Sequence, residues 1–164
     1  MTGSAFTMAY DGIARKLISP VKISEIVAEG TPVFAKEFNA LWDTGATGSV
    51  ISQKIVDDLK LSPVSFGKAH GVDGEYETAY YYVDILLPNN VAVTKLRVSL
   101  GKLLGCDLLI GMDIICRGDF AVSNFGGKTV FTYRIPSSQT TDYVKQISVE
   151  NVIGKKHGPG KRKK

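Results

Sequence analysis

The chain has 164 residues, a net charge of +4 and 44% hydrophobic residues, enough for one domain with a sizeable core but short of the length that two lobes need. No apolar run approaches the roughly 20 residues of a bilayer-spanning helix, and the N-terminus has no basic-then-apolar leader pattern, so the sequence predicts a soluble, cytoplasmic protein. The charge is uneven: Lys155 to Lys164 holds six Lys and Arg and no acid, and taking six from +4 leaves the rest of the chain at −2.

Residues 1–20 are weakly patterned and read as an N-terminal arm, in which Ala9 to Ile18 can form a short amphipathic piece before Pro20. From residue 21 strands dominate. Val21 to Val27 alternates, Glu29-Gly30-Thr31-Pro32 reads as a turn, and Val33 to Trp42 is the next strand. That strand stops at Asp43-Thr44-Gly45-Ala46. A carboxylate where a buried strand meets a tight turn costs desolvation energy unless neighbours bond to it, and Thr44, Gly45 and Thr47 are donors within reach. Taken alone, Asp-Thr-Gly is also what an ordinary turn looks like, since all three residues favour turns.

Ser52 is placed to cap a helix over Gln53 to Lys60, with Ile55, Val56 and Leu59 on one face and Asp57 and Asp58 solvated. Val64 to Ala69 and Glu75 to Leu87 form a long hairpin around Gly71-Val72-Asp73-Gly74. Within it Tyr80, Tyr81 and Tyr82 must alternate between faces. His70 reads as an exposed or hydrogen-bonded histidine rather than a ligand. Pro88-Asn89-Asn90 is a turn, followed by strands over Val91 to Leu100 and Leu108 to Ile110, a helical turn over Met112 to Cys116, and strands over Phe120 to Ser123 and Lys128 to Arg134, the last after a Gly126-Gly127 hairpin signal. Cys106 and Cys116, with no His beside them, read as two small core thiols. Residues 137–154 are a polar C-terminal extension, either a helix or an arm. Residues 155–164, broken by Gly158-Pro159-Gly160, read as a disordered basic tail with at most weak nucleic-acid contact.

Two motifs in order carry the functional reading. Asp43-Thr44-Gly45-Ala46 is followed by Leu109-Ile110-Gly111-Met112-Asp113, an apolar strand ending in a glycine of the kind needed where one backbone passes close under another. Together they resemble the retropepsin-like (retroviral-type) aspartic proteases, in particular their small single-domain bacterial type, over roughly Val21 to Ile135. The resemblance implies an all-β fold: a small closed barrel with one or two short helices, acting as a homodimer, with the protease domain at 21–136. It implies that Asp43, Thr44 and Gly45 are catalytic, that Ala46, Thr47 and the hairpin tip Gly71, Val72, Asp73 and Gly74 bind a peptide or protein substrate, and that Ile110 and Gly111 support the turn. It implies no cofactor and no metal. Two features depart from the family: Thr47 stands where retroviral enzymes usually carry an acid, and the hairpin tip lacks their dense glycines. The alternative from another class is an idle domain of the same fold that binds peptides or only dimerises.

Overall fold

The computed structural model describes residues 3–26, 35–71 and 74–156. The turn expected at Glu29 to Pro32, Val72 and Asp73 of the hairpin tip, and residues 157–164 of the basic tail lie outside them. In chain order the elements are β1 (Ser4–Ala9), β2 (Ile18–Glu25), β3 (Lys36–Trp42), β4 (Val50–Ile51), α1 (Gln53–Leu59), β5 (Ser65–Gly71), β6 (Gly74–Leu86), β7 (Ala92–Leu100), β8 (Leu108–Ile110), α2 (Met112–Ile115), β9 (Asp119–Ser123), a 3-10 turn (Phe125–Gly127), β10 (Val130–Ile135) and α3 (Tyr143–Lys156). Strand dominates, as expected. The C-terminal extension forms the third helix, which runs two residues into the stretch 155–164.

Seven strands form one sheet in the order β2-β3-β8-β4-β7-β6-β5, and an added β2–β6 pairing closes it into a ring from which β5 projects. The closure depends on the length of β6. Its C-terminal part pairs with Lys22–Glu25 of β2, while its N-terminal part pairs with β5. Alternation along β6 sends Tyr81, Val83 and Ile85 into the ring and leaves Tyr82 exposed. Val83, Ile85 and Ile110 have no exposed surface, and burying side chains of this size stabilises by about 1.5–3 kcal/mol each.

A second sheet, β1-β10-β9, lies against the ring. Its inner face carries Phe6, Phe131, Tyr133 and Phe120, which surround Trp42 at ring-centroid distances of 5.0–5.8 Å. β1 corrects the expectation for residues 1–20. The segment Ser4–Ala9 is a strand in register with Val130–Ile135, because Phe6 and Met8 have an apolar sheet to cover, and residues 10–17 are an irregular connection rather than part of an amphipathic piece. β2 also starts earlier than expected and contains Pro20. That position pairs only with Asn39 of β3, and β6 joins from Lys22 onward, so the missing N–H falls where β2 is still an edge.

Three smaller expectations are also corrected. Ser52 makes no side-chain cap on α1; its carbonyl accepts from Ile55 and Val56 instead. Cys116 is exposed and Cys106 only partly buried, and both are free thiols rather than core residues. The last strand begins at Val130, because Lys128 closes the 3-10 turn.

Candidate active site

The turn at Asp43 is built on a parallel strand pair. Trp42 lies opposite Ile110 in the β3–β8 ladder, and the Asp43 N–H donates to the Ile110 carbonyl at 3.0 Å, so the carboxylate appears where the ladder ends. The chain then folds back. The Gly45 N–H donates to Asp43 Oδ1 at 2.8 Å, and the Ala46 N–H donates to the Asp43 carbonyl at 3.3 Å. Of the three donors anticipated for the carboxylate, Gly45 alone reaches it among the described residues. Asp43 is half-buried, while Thr44, Gly45 and Thr47 are exposed.

The loop from Ala46 to Ser49 is fastened to the start of α2. Met112 N–H donates to the Ala46 carbonyl at 2.8 Å, and Asp113 N–H donates to the Thr47 carbonyl at 3.2 Å. In return Asp113 Oδ2 accepts the Ser49 N–H at 2.9 Å, Asp113 Oδ1 accepts the Ser49 hydroxyl at 2.7 Å, and Ser49 Oγ accepts the Gly111 N–H at 3.1 Å. Ser49 is 2% exposed, so these bonds satisfy groups that water does not reach. Gly111 passes directly beneath: a β carbon there would stand 2.7 Å from the carbonyl carbon and oxygen of Gly48 and 2.9 Å from the Ala46 oxygen.

Behind the turn, Trp42 donates its indole N–H to Ser19 Oγ at 2.9 Å and stacks on Phe120, with ring planes 5° apart and centroids 5.5 Å apart. The residue before the carboxylate is therefore held on both its polar and its apolar side.

Gly71 and Gly74 face each other at the end of the β5–β6 ladder, and Gly74 has φ +110°, a conformation open to glycine at little cost. A cavity of about 1190 Å³ lies between this hairpin and Leu100–Lys102, with Phe66, Tyr76, Thr78 and Ala79 among its walls. Asp43, Ala46 and Thr47 do not line it. The two regions approach each other at Gly101, whose β carbon would meet Val50 Cγ1 at 2.5 Å and the Tyr76 hydroxyl at 3.6 Å. The structure thus brings Asp43 to Thr47 together with Ile110 and Gly111, and sets Gly71 and Gly74 over the neighbouring cavity. His70 is exposed and paired with Glu75 at 3.1 Å.

Sequence reasoning placed Trp42 and Asp113 beside the two motifs without giving either a role, and assigned none to Ser49 or Tyr76. Asp113 was legible in principle, as a carboxylate in the first turn of a helix that follows a glycine.

The sequence profile described as "gag-polyprotein putative aspartyl protease" matches residues 18–117, and the chain belongs to that family of aspartyl proteases. The match spans both the Asp43 turn and the Gly111 crossing. Among solved structures, the chain is similar to a retropepsin-like aspartic protease from Rickettsia conorii at 11% identity, over 82% of this chain and 96% of the other, with a TM-score of 0.49. It is similar to the EIAV protease complexed with the inhibitor HBY-793 at 22% identity, over 65% and 90% of the two chains, with a TM-score of 0.49. It is also similar to the retroviral protease-like domain of Ddi1 from Leishmania major at 17% identity, over 66% and 82%, with a TM-score of 0.46. No curated protein matches the sequence. Among the described residues, no helix is long and apolar enough to cross a membrane.

Proposed function

We propose that the protein is an aspartic endopeptidase that acts as a homodimer, with one Asp43 contributed by each copy. The observation that carries this reading is the mounting of Asp43 above a glycine crossing: a half-buried residue at the end of a ladder whose backbone N–H donates to the Ile110 carbonyl and whose carboxylate accepts the Gly45 N–H. The Gly45 N–H bond alone is that of an ordinary Asx turn; the tie to β8 and the Gly111 crossing fix the residue further, as suits general acid–base chemistry, which needs the group within hydrogen-bond reach of its proton.

Peptide hydrolysis without a covalent intermediate needs one group to accept a proton from water while another donates one to the carbonyl oxygen. Two adjacent carboxylates sharing one proton supply both roles. Water adds to the carbonyl carbon, a tetrahedral diol forms, and transfer of a proton to the amide nitrogen lets the C–N bond break. Each chain brings one such Asp, so a two-fold axis close to Asp43 is required, and that is the simplest closed symmetry. In this reading Thr44, exposed beside the acid, bonds to the turn of the other copy. Ala46 and Thr47, together with the tip from Gly71 to Gly74, hold an extended peptide or protein substrate. Ile110 and Gly111 carry the turn. Residues 21–136 form the catalytic domain, with 137–154 and 155–164 appended. The two free thiols fit a reducing, cytoplasmic setting.

The test is cleavage of a mixed peptide library by the wild type and by Asp43→Asn, with a pepstatin-type inhibitor as a second arm. Cleavage that is abolished by the substitution and blocked by the inhibitor supports the proposal. A wild type that binds library peptides without cutting them at any pH from 3 to 8 overturns it in favour of an idle peptide-binding domain.

A further inference from the structure

The β5–β6 hairpin reaches beyond the sheet that carries it. Pairing of β6 with β7 runs no further toward the tip than Tyr80 opposite Ser99, whereas pairing with β5 continues from Ser65 opposite Tyr80 out to Gly71 opposite Gly74. Tyr80 is therefore the root of the hairpin, the last residue toward the tip with a strand on each side. Several contacts converge on it. Its carbonyl accepts the Val64 N–H at 2.8 Å, and its hydroxyl donates to the Lys68 carbonyl at 2.8 Å. Its ring lies against Gly67, where a β carbon would stand 3.3 Å from Cε2. The Arg97 guanidinium, from β7, lies over the ring with its central carbon 3.8 Å from the centroid, and it donates to Ser65 Oγ at 3.3 Å. Arg97 stands opposite Tyr82 in the ladder, so it reaches Tyr80 along the diagonal, a distance open to long side chains.

One stack of side chains thus joins β5, β6 and β7 where the hairpin leaves the sheet. A cation over a tyrosine face is attracted by the ring quadrupole, and a planar guanidinium can stack and donate at once. Further out, the Thr78 hydroxyl donates to the Leu100 carbonyl at 2.6 Å. Ser65, Tyr80 and Arg97 do not line the cavity.

We propose that Arg97 and Tyr80 are positioning residues for substrate: their stack sets the inclination of the hairpin over the cavity, and with it the place of the tip against a bound peptide. The proposal rests on the reading that the hairpin holds the substrate, and it names residues that act on that grip from outside the cavity. A two-stranded ribbon is marginal by itself in water, so beyond Tyr80 the set of the hairpin depends on what holds its root. Loosening the stack weakens contacts that a peptide makes equally in the ground state and the transition state. Such a loss raises KM and leaves kcat in place.

The test compares the full-length wild type with Arg97→Ala, Tyr80→Phe, Tyr80→Leu and the double variant Arg97→Ala/Tyr80→Leu. Arg97 is exposed, so its truncation leaves the core intact. In Arg97→Ala the protected amides of β5 and β6 between Gly67 and Ala79 should exchange hydrogen at least about threefold faster, the order an exposed cation–π contact is worth. Those of β3 and β8 should stay as in the wild type, the mark of a local opening. KM for a cleaved library peptide should rise about fivefold with kcat unchanged. Tyr80→Phe, which keeps the ring and drops the hydroxyl, should show a smaller rise. In the Tyr80→Leu background Arg97→Ala should add little, because residues in contact are not additive. The proposal is overturned if the hairpin amides of Arg97→Ala exchange like those of the wild type, if KM is unchanged, if kcat alone falls, or if the two single effects add in full. A wild type that cleaves nothing sinks the protease reading and not this one. The comparison then runs on peptide dissociation constants, where weakening by Arg97→Ala supports the positioning role and an unchanged constant overturns it.

Discussion

Gly111 and Gly48 cross at a distance that leaves no room for a side chain: a β carbon on Gly111 would stand 2.7 Å from the Gly48 carbonyl carbon. The obstacle is backbone, and the Met112 and Asp113 N–H groups tie the same loop down. Gly111→Ala should therefore force the Ala46–Ser49 loop away from α2. Overpacking of this kind costs about 1–3 kcal/mol. Thermal unfolding should show a lowered Tm, and peptide turnover should fall further than the loss of folded protein accounts for.

Asp113 is the hinge pin of that crossing. Asp113→Ala leaves the Ser49 N–H, in a residue 2% exposed, without its acceptor, at a cost on the order of 1–3 kcal/mol. Asp113→Asn keeps a carbonyl to accept that N–H and should lose less. The check is the order of Tm values, wild type above Asn above Ala, with turnover following the same order.

Asp119 makes acid stability testable. The Ser137 hydroxyl, the Ser138 N–H and the Arg134 side chain hold its carboxyl well below the usual carboxylate range. A folded-state value depressed in this way stabilises the protein at pH above the unfolded value of ~4 and loses that contribution as pH falls below it. Asp119→Asn should accordingly melt below the wild type at pH 7, with a gap that begins to close only below about pH 4 and is lost only in strong acid. Equal Tm values for the two at pH 7 would show that the bonds to Asp119 do not contribute.

Deletion of residues 155–164 should leave peptide turnover unchanged. The six basic residues there follow a domain whose turn, crossing and hairpin all lie before residue 136. What should fall is salt-sensitive retention on nucleic acid, because that affinity scales with the number of phosphate contacts. Filter binding at two salt concentrations, beside a cleavage assay, separates the two effects.

Much of this architecture was legible because local chemistry and tertiary structure agree. The strand Leu108–Ile110 and the hairpin over β5 and β6 follow from apolar runs cut by glycine, and the Asp43 turn from an acid placed where a strand ends. Ser4–Ala9 was not legible because its apolar residues acquire meaning only from β10, more than a hundred positions later. Pro20 looked like a boundary because a proline's missing N–H matters only where a neighbouring strand needs it, and β6 joins just after it. Cys116 was read as core because no His stands beside it to suggest a site, but it follows a helix only four residues long and is exposed. In the site, the Asp113–Ser49 exchange and the Trp42–Phe120 stack join residues far apart in sequence, and neither leaves a periodic trace.

The length of β6 has a mechanical consequence. The strand is the seam of the ring where it meets β2 and the stalk of the hairpin where it meets β5, with no loop between the two roles. A hairpin carried this way is a cantilever rather than a door: it has no hinge at its root, and a load on its tip passes as shear into the barrel wall. The ladder slips once along that path, in the irregular register between Val83 and Ile85 opposite β7. That irregularity lies inside the core, at two residues with no exposed surface, well away from the glycines at the tip.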